Sequence, residues 1–387
     1  MSWKTLPVGN ICSLVTSGGT PLTSKLSYYE PKEISWLKTA EVNYCRIYET
    51  ENYISREGLE KSSAKLIPEN SVIVAMYGQG DTAGRVAINK IPLSTNQACC
   101  NLVINKELAD YEYVYYALST LYDKLVSLKN GGAQPNLNLS IIKSIEIPLP
   151  PLAIQQKIAL ILSAYDDLID NNRRQIKLLE EAAQRLYKEW FVDLRFPGHE
   201  DVKIIDGVPE GWRVGTLGEI VEFRRGKMIT RKQTVNGDVP VVAGGLEPAY
   251  YHNQANTIAP VITVSASGNA GFTRLYYENV FASDCSFADI TMTKNLFFTF
   301  CFLKANSTLL KSFQRGTAQQ HVYAKDINAM KLNIPNTEIL HKFCEHTGKY
   351  FDLIGKRERQ NKFLSEARNR LLPKLMSGEI SLEEMKS

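Results

Sequence analysis

The pattern of apolar and polar residues predicts two long helices, one in each half of the chain. Apolar residues recur at spacings of three and four over residues 152–191 and again over 338–376, which is the heptad pattern of a coiled-coil seam. A shift of 185 residues superimposes the two sets, and at 1.5 Å per residue each helix is roughly 50 Å long. The predicted seam positions are Ile158, Tyr165, Asn172, Leu179, Leu186, Phe343, Tyr350, Arg357, Leu364 and Leu371.

A polar residue interrupts both seams at the same place, Asn172 in the first and Arg357 in the second. A polar group at one seam position lowers stability but specifies the register in which two helices pair. Two matched seams in one chain therefore favour helices that pair with each other. The alternative, in which each helix packs only on its own globular domain, stays open at this point.

The segments before the helices are repeated as well. Residues 130–150 read NGGAQPNLNLSIIKSIEIPLP, and residues 315–335 read RGTAQQHVYAKDINAMKLNIP. Further upstream, WKTLPVGNI is matched by WRVGTLGEI, and VIVAMYGQGDTAGRVAI by VITVSASGNAGFTRLYY, each an apolar strand, a small-residue loop and a second strand. We predict a first globular domain at 1–150, a helix at 151–195, a second globular domain at 196–335 and a second helix at 336–387. The predicted fold class is α/β (α+β): two similar globular domains joined by two long helices that pair as an antiparallel or parallel coiled coil, with pseudo-two-fold internal repetition.

Composition narrows the class of protein. The 387 residues carry 45 Lys and Arg against 41 Asp and Glu, and this mild excess permits a nucleic-acid partner without requiring one. No apolar run approaches the roughly 18 residues of a membrane span, and the first residues lack the apolar core of a secretion signal. The seven cysteines form no C-x-x-C pair, which argues against a zinc site. We expect a cytoplasmic protein without membrane contact.

Most candidate binding residues fall in three places, and the basic residues Lys38 and Arg85 of the first half add to them. The stretch FRRGKMITRK can neutralise phosphates, the small-residue loops carry short polar side chains that can read base edges, and the repeated turn adds amides. A solvated surface loop explains the first feature as well, and capping of strands explains the others. The candidates are Lys38, Gln79, Asp81, Arg85, Gln134, Asn136, Arg224, Arg225, Lys227, Arg231, Ser267, Asn269, Arg315, Gln319, Gln320 and His321.

A catalytic motif is not recognisable in this sequence. An adenine methyltransferase needs a glycine-rich loop for its methyl donor and an Asn/Asp-Pro-Pro-aromatic motif for the flipped base, and neither is present. A Walker loop is missing too. His341 and His346 are five residues apart, which suits a helical metal site poorly. We therefore predict no catalytic residue, no metal and no cofactor in this chain.

The chain resembles the specificity (S) subunits of Type I restriction-modification systems. The similarity runs along essentially the whole length and is clearest in IPLPPLAIQQKIALILSAYDDLIDNNRRQIKLLEEAAQRLYKEWF (147–191), LLPKLMSGEI (371–380) and IDGVPEGWRV (205–214). The resemblance implies that each globular domain reads one half of a bipartite double-stranded DNA target. It also implies that the two helices form an antiparallel coiled coil, set the spacing of the halves and dock two modification subunits.

The resemblance further implies that S-adenosylmethionine, ATP and Mg belong to the partner subunits, which include motor-nuclease restriction subunits where these are present. Two other functions stay open at this point. One is a stand-alone DNA methyltransferase or nuclease, and the other is a coiled-coil adaptor that does not bind DNA.

Overall fold

The structure, a computed structural model, describes residues 3–129, 136–314, 321–380 and 382. It divides into two compact units. Unit 1 comprises Met1–Leu168 and Phe363–Ser387, and unit 2 comprises Ile169–Lys362. Each unit therefore contains one globular domain and a part of both long helices.

The globular part of unit 1 is built, in its described residues, from short strands and short α-helices. The strands are β1 (Thr5–Pro7), β2 (Cys12–Ser17), β3 (Ile34–Leu37), β4 (Cys45–Ile47), β5 (Tyr53–Ile54), β6 (Leu66–Ile67), β7 (Val72–Ala75), β8 (Val86–Asn89), β9 (Leu93–Thr95), β10 (Cys99–Ile104) and β11 (Glu146–Pro148). The helices are α1 (Arg56–Glu60), α2 (Tyr111–Ser119), α3 (Tyr122–Ser127) and α4 (Leu139–Ser144).

Two sheets form the body of unit 1. One has the order β2-β10-β7-β8-β4 and the other β5-β3-β9-β6, while β1 pairs with β11. Pairing is antiparallel except between β3 and β9 and between β4 and β8, where it is parallel. Val72 and Val74 of β7 face one hydrophobic cluster, whereas Ile73 and Ala75 face another. Because both faces of this sheet are covered, β7 is continuously apolar rather than alternating.

The first long helix, α5 (Leu152–Tyr187), follows unit 1's globular domain and continues into a π-helical turn at Lys188–Val192. Unit 2 then has the strands β12 (Ile204–Ile205), β13 (Val208–Pro209), β14 (Arg213–Thr216), β15 (Arg224–Arg225), β16 (Val239–Val242), β17 (Tyr250–His252), β18 (Val261–Ser265), β19 (Thr273–Tyr276), β20 (Phe281–Ala282), β21 (Cys285–Asp289) and β22 (Lys331–Ile334). Its short helices are α6 (Leu296–Ala305), α7 (Ser307–Ser312) and α8 (Ala324–Asn328).

The sheets of unit 2 repeat those of unit 1. The order β15-β21-β18-β19 corresponds to β2-β10-β7-β8, and β17-β16-β20 contains a parallel pair, β16 with β20, where unit 1 has β3 with β9. The ribbon β14-β22 corresponds to β1-β11. Strand β4 is an addition of unit 1, since no described strand of unit 2 occupies its place. The predicted internal repeat of two similar globular domains is confirmed.

The second long helix, α9 (Thr337–Ser377), runs antiparallel to α5 in both units. In unit 1 Asp166 accepts a hydrogen bond from Arg368. In unit 2 Asn172 donates to Asn361 at 2.8 Å, and Arg357 donates to Gln175 at 2.9 Å. Rising numbers on α5 thus meet falling numbers on α9. Within the described ranges, no helix is both long enough and apolar enough to cross a membrane.

The predicted seam residues are buried or half-buried in the helix pair. Ile158 and Phe343 are completely buried, and the two polar residues lie at the interface with polar partners. Asn172 is 2% exposed and faces α9. Arg357 contacts Gln175, not Asn172, so the two interruptions form neighbouring polar contacts rather than a single pair.

Candidate nucleic-acid interface

One edge of each globular domain is formed by loops, and these loops carry eight of the twelve candidate residues that the structure describes. In unit 1 this surface, loop edge 1, consists of residues 38–43, residues 77–85 and Asn136. In unit 2 the corresponding surface, loop edge 2, consists of residues 243–247, residues 267–272, Asp284 and His321.

Loop edge 1 is organised around Arg85. Its Nη2 donates to Asp81 Oδ1 at 2.6 Å, and its Nη1 donates to Asn43 Oδ1 at 3.0 Å. The hydrogen bond from Arg85 lowers the pKa of Asp81 below its usual value. The loop returns to β8 through Gly84, whose φ of +93° lies in a region that other residues rarely adopt. Arg85 therefore holds a carboxylate and an amide on one exposed surface.

Three further candidates surround this group. Lys38 and Gln79 are exposed, and the Lys38 ammonium lies 5.2 Å from the centre of the Trp36 ring. Asn136 is exposed beside Leu137, whose backbone N–H donates to the Met76 carbonyl at 3.0 Å. That bond attaches the repeated turn to the start of the hairpin loop.

Loop edge 2 is organised by short backbone and hydroxyl contacts. Asn269 donates its backbone N–H to the Gly244 carbonyl at 2.9 Å, which joins the two loops. The Ser267 hydroxyl donates to the Asp284 carboxylate. His321, half-buried, stacks on Tyr323 with ring centres 6.0 Å apart and an interplanar angle of 23°. The result is again a surface of hydroxyl, amide, carboxylate and imidazole groups.

The two loop edges share one backbone framework. In unit 1 the Leu137 N–H donates to the Met76 carbonyl. In unit 2 the Val322 N–H donates to the Ala266 carbonyl, and both bonds are 3.0 Å long. The Met76 N–H in turn donates to the Ala98 carbonyl in unit 1, and the Ala266 N–H donates to the Asp284 carbonyl in unit 2. These matches make Ala98 the structural equivalent of Asp284. Equivalent backbone positions therefore present different side chains in the two units.

The basic stretch of the second half lies alongside loop edge 2. Arg224, Arg225, Lys227 and Arg231 are all exposed, and β15 is the edge strand of its sheet. Gly226 donates its N–H to the Cys285 carbonyl at 2.8 Å, next to Asp284. A Cβ at Gly226 would lie 2.5 Å from the Ser283 carbonyl oxygen, so this close approach requires glycine. Four exposed cations thus flank the polar groups of loop edge 2.

The predicted residues are brought together as two sets. Lys38, Gln79, Asp81, Arg85 and Asn136 belong to unit 1, and Arg224, Arg225, Lys227, Arg231, Ser267, Asn269 and His321 to unit 2. The other candidates lie outside the described residues: Gln134, Arg315, Gln319 and Gln320.

Sequence reasoning missed Asn43 and Asp284. Neither lies in a glycine-rich loop or a basic cluster, and each joins its loop edge through a partner distant in sequence, Arg85 and Ser267 respectively. No signal in the sequence marked them, because their role depends on tertiary contact.

The chemistry of both loop edges is that of a binding surface. Guanidinium and ammonium groups can contact phosphates, and amide, carboxylate and hydroxyl groups can pair with base edges. Among the described residues, no group of three or more His, Cys, Asp or Glu is placed to hold a metal ion.

Comparison with known proteins identifies the family of the chain. Residues 1–181 and 209–355 match the Type I restriction modification DNA specificity domain, once for each half of the chain. The chain is 28% identical over 402 residues to the MjaIX specificity subunit of Methanocaldococcus jannaschii, covering 96% of this chain and 92% of that protein. It is 30% identical over 199 residues to the EcoR124I/EcoR124II specificity subunit of Escherichia coli, covering 51% of this chain and 48% of that one.

The fold also has a solved relative. The crystal structure of a Type-I restriction-modification S subunit from M. genitalium superimposes with a TM-score of 0.60 at 17% identity, covering 96% of both chains. The resemblance drawn from the sequence motifs is thereby confirmed. The chain belongs to the Type I restriction-modification DNA specificity family.

Proposed function

We propose that this chain recognises a bipartite DNA sequence for a Type I restriction-modification complex. Loop edge 1 reads one half of the target, loop edge 2 reads the other, and the helix pair determines the length of the non-specific spacer. The observation that carries the proposal is the repeated backbone framework with different side chains at equivalent positions. One scaffold used twice with different polar groups suits a target whose halves differ in sequence.

The exposed cations supply the sequence-independent part of binding. Arg224, Arg225 and Lys227 suit contacts to phosphates, which position a protein on DNA without reading its bases. The loop-edge carboxylates suit a different role. A carboxylate close to phosphates is repelled, so Asp81 and Asp284 favour a position where they accept hydrogen bonds from the amino group of a base.

The chain acts as a non-catalytic subunit under this proposal. Methyl transfer and DNA cleavage belong to two modification subunits and to restriction subunits that dock on it, and S-adenosylmethionine, ATP and Mg bind to those partners. A stand-alone methyltransferase is the alternative from another class. Incubation of the purified chain with DNA and labelled S-adenosylmethionine separates the two, because only the alternative expects label in DNA without a modification subunit.

The test is methylation-sensitive long-read sequencing of DNA from cells that express this chain with its modification subunit. We expect one bipartite motif with methyladenine in both halves. Asp284→Asn together with Ser267→Ala should alter one half of the motif only, and Asp81→Asn should alter only the other. The control is Lys106→Ala, an exposed side chain outside both loop edges. Changes that always affect both halves together would contradict the assignment of one half to each loop edge.

A further inference from the structure

Arg46 is a buried cation on the strand that only unit 1 has among the described residues. Arg46 belongs to β4, and its side chain is 3% exposed. Its Nη2 donates to Glu112 Oε2 of α2 at 2.6 Å, and its Nη1 lies 3.2 Å from Asp167 Oδ1 of α5. Burial acts to lower the pKa of Arg46, but the hydrogen bond to Glu112 and the negative charges around the guanidinium together outweigh it, so the pKa is raised and the guanidinium stays charged.

The same cluster reaches the second helix through Asp166. This carboxylate accepts a hydrogen bond from the Tyr116 hydroxyl of α2 at 2.5 Å and another from Arg368 of α9. Tyr116 in turn lies 3.4 Å from Arg46 Nη2. The globular domain of unit 1 is therefore bonded to α5 and to α9 through one connected group of polar side chains.

The charges in this cluster balance. Lys90 Nζ donates to Glu112 Oε1 at 2.9 Å, and its side chain is 17% exposed. The cluster consists of three cations and three anions, which are Arg46, Lys90, Arg368, Glu112, Asp166 and Asp167. If Arg46 alone is removed, each buried carboxylate still has a cation as its partner: Glu112 keeps Lys90, and Asp166 keeps Arg368.

Stability is a poor explanation for this arrangement. The Nε and Nη1 atoms of Arg46 are buried without a hydrogen-bond partner, although Nη1 is near Asp167. Burying a guanidinium so incompletely bonded is costly, and apolar residues of similar size often give equal or better stability. Directional ionic bonds instead restrict the globular domain to one geometry on the helices. In unit 2 the ion pair between Lys362 of α9 and Glu278 of the globular domain has side chains that are 52% and 46% exposed.

We propose that Arg46, with Glu112, Asp166 and Arg368, holds the globular domain of unit 1 in one orientation on the helix pair and so limits the spacer to one length. This inference rests on the proposed function, because spacer length has meaning only for a bipartite target. Arg46 acts through the cluster and is a positioning residue, with no contact to DNA required.

The test uses a plasmid library in which both half-sites are kept and the spacer is one base pair shorter, correct, or one longer. Methylation of each member is measured in cells that express the modification subunit with wild type, Arg46→Met or the control Arg56→Met. Arg56 is exposed in the same unit, with 79% of its side chain accessible, and lies 3.5 Å from Glu33. We expect Arg46→Met to lose roughly tenfold of its discrimination against wrong spacers, about the ratio that one charge-assisted hydrogen bond provides.

The half-site sequences should stay unchanged in Arg46→Met, which a general loss of stability would not explain. Spacer discrimination equal to that of wild type in a folded Arg46→Met subunit would overturn the inference. If Arg46→Met does not accumulate, Asp166→Asn decides the question, since it removes charge and keeps the shape of the side chain. Failure of wild type to methylate any bipartite motif would instead contradict the proposed function.

Discussion

The basic segment beside loop edge 2 allows a quantitative prediction about DNA binding. Arg224, Arg225 and Lys227 are exposed on and after an edge strand. We propose their simultaneous replacement by alanine. None of the three side chains is buried, so the folded core should be unaffected and the change should act on charge alone.

The magnitude follows from counterion release. Each phosphate that a cation neutralises contributes roughly −0.9 to the slope of log affinity against log salt concentration. Three contacts therefore contribute about −2.7. Between 50 and 200 mM salt, wild type should lose affinity about 40-fold more than the triple variant does.

The assay is fluorescence anisotropy of a labelled duplex with the complex of this chain and its modification subunit, over a series of salt concentrations. The matched control is Lys4→Ala, Lys106→Ala and Lys331→Ala together, three exposed lysines outside both loop edges. Its slope should equal that of wild type. A triple variant of the basic segment with the slope of wild type would show that this segment does not contact DNA, and the reasoning would be wrong.

Three further predictions concern the helix pair. A seven-residue insertion within α5, matched by one at the facing level of α9, should lengthen the spacer by about three base pairs, since seven residues span about 10.5 Å; an unchanged motif would contradict a ruler role. The Asn172→Ala and Asn361→Ala double-mutant cycle should give a coupling energy of about 1 kcal/mol in urea unfolding, and additive effects would deny the contact. Burial, together with Glu180 and Glu278 and against Arg274 and Arg359, raises the pKa of Glu358 from 4.5 to about 7. The folded state thus holds the proton more tightly, and its stability should fall as pH rises through that window. Glu358→Gln should remove this dependence and stabilise the protein at pH 8 by about 2–3 kcal/mol, which thermal unfolding at pH 5 and pH 8 would check.

The helix pair shows how far a sequence pattern reaches. Heptad spacing is a local property, so residues such as Ile158 and Phe343 could be placed on a buried seam from their neighbours alone. The pairing partner is not local. That Asn172 meets Asn361 while Arg357 meets Gln175 depends on the axial offset of two helices, which no single segment encodes.

The loop edges show the same division. Glycines at the hairpin loops and the cluster of basic residues were visible in the sequence, because backbone conformation and charge are properties of short segments. Asn43 and Asp284 were not, since each becomes part of its loop edge only when strands distant in the chain are brought into register.

The sequence by itself determined the duplicated plan of this protein, the two long amphipathic helices and the family to which it belongs, because repeats and periodicity are written along the chain. Only the tertiary structure decided which polar groups share a surface and which are buried together. Arg46 is the clearest case: in the sequence it is one arginine among many, and only the packing of β4 and α2 against α5 and α9 places it inside a balanced cluster of charges. The physical reason is that burial and hydrogen bonding depend on contacts between distant segments, and these form only when the chain has folded.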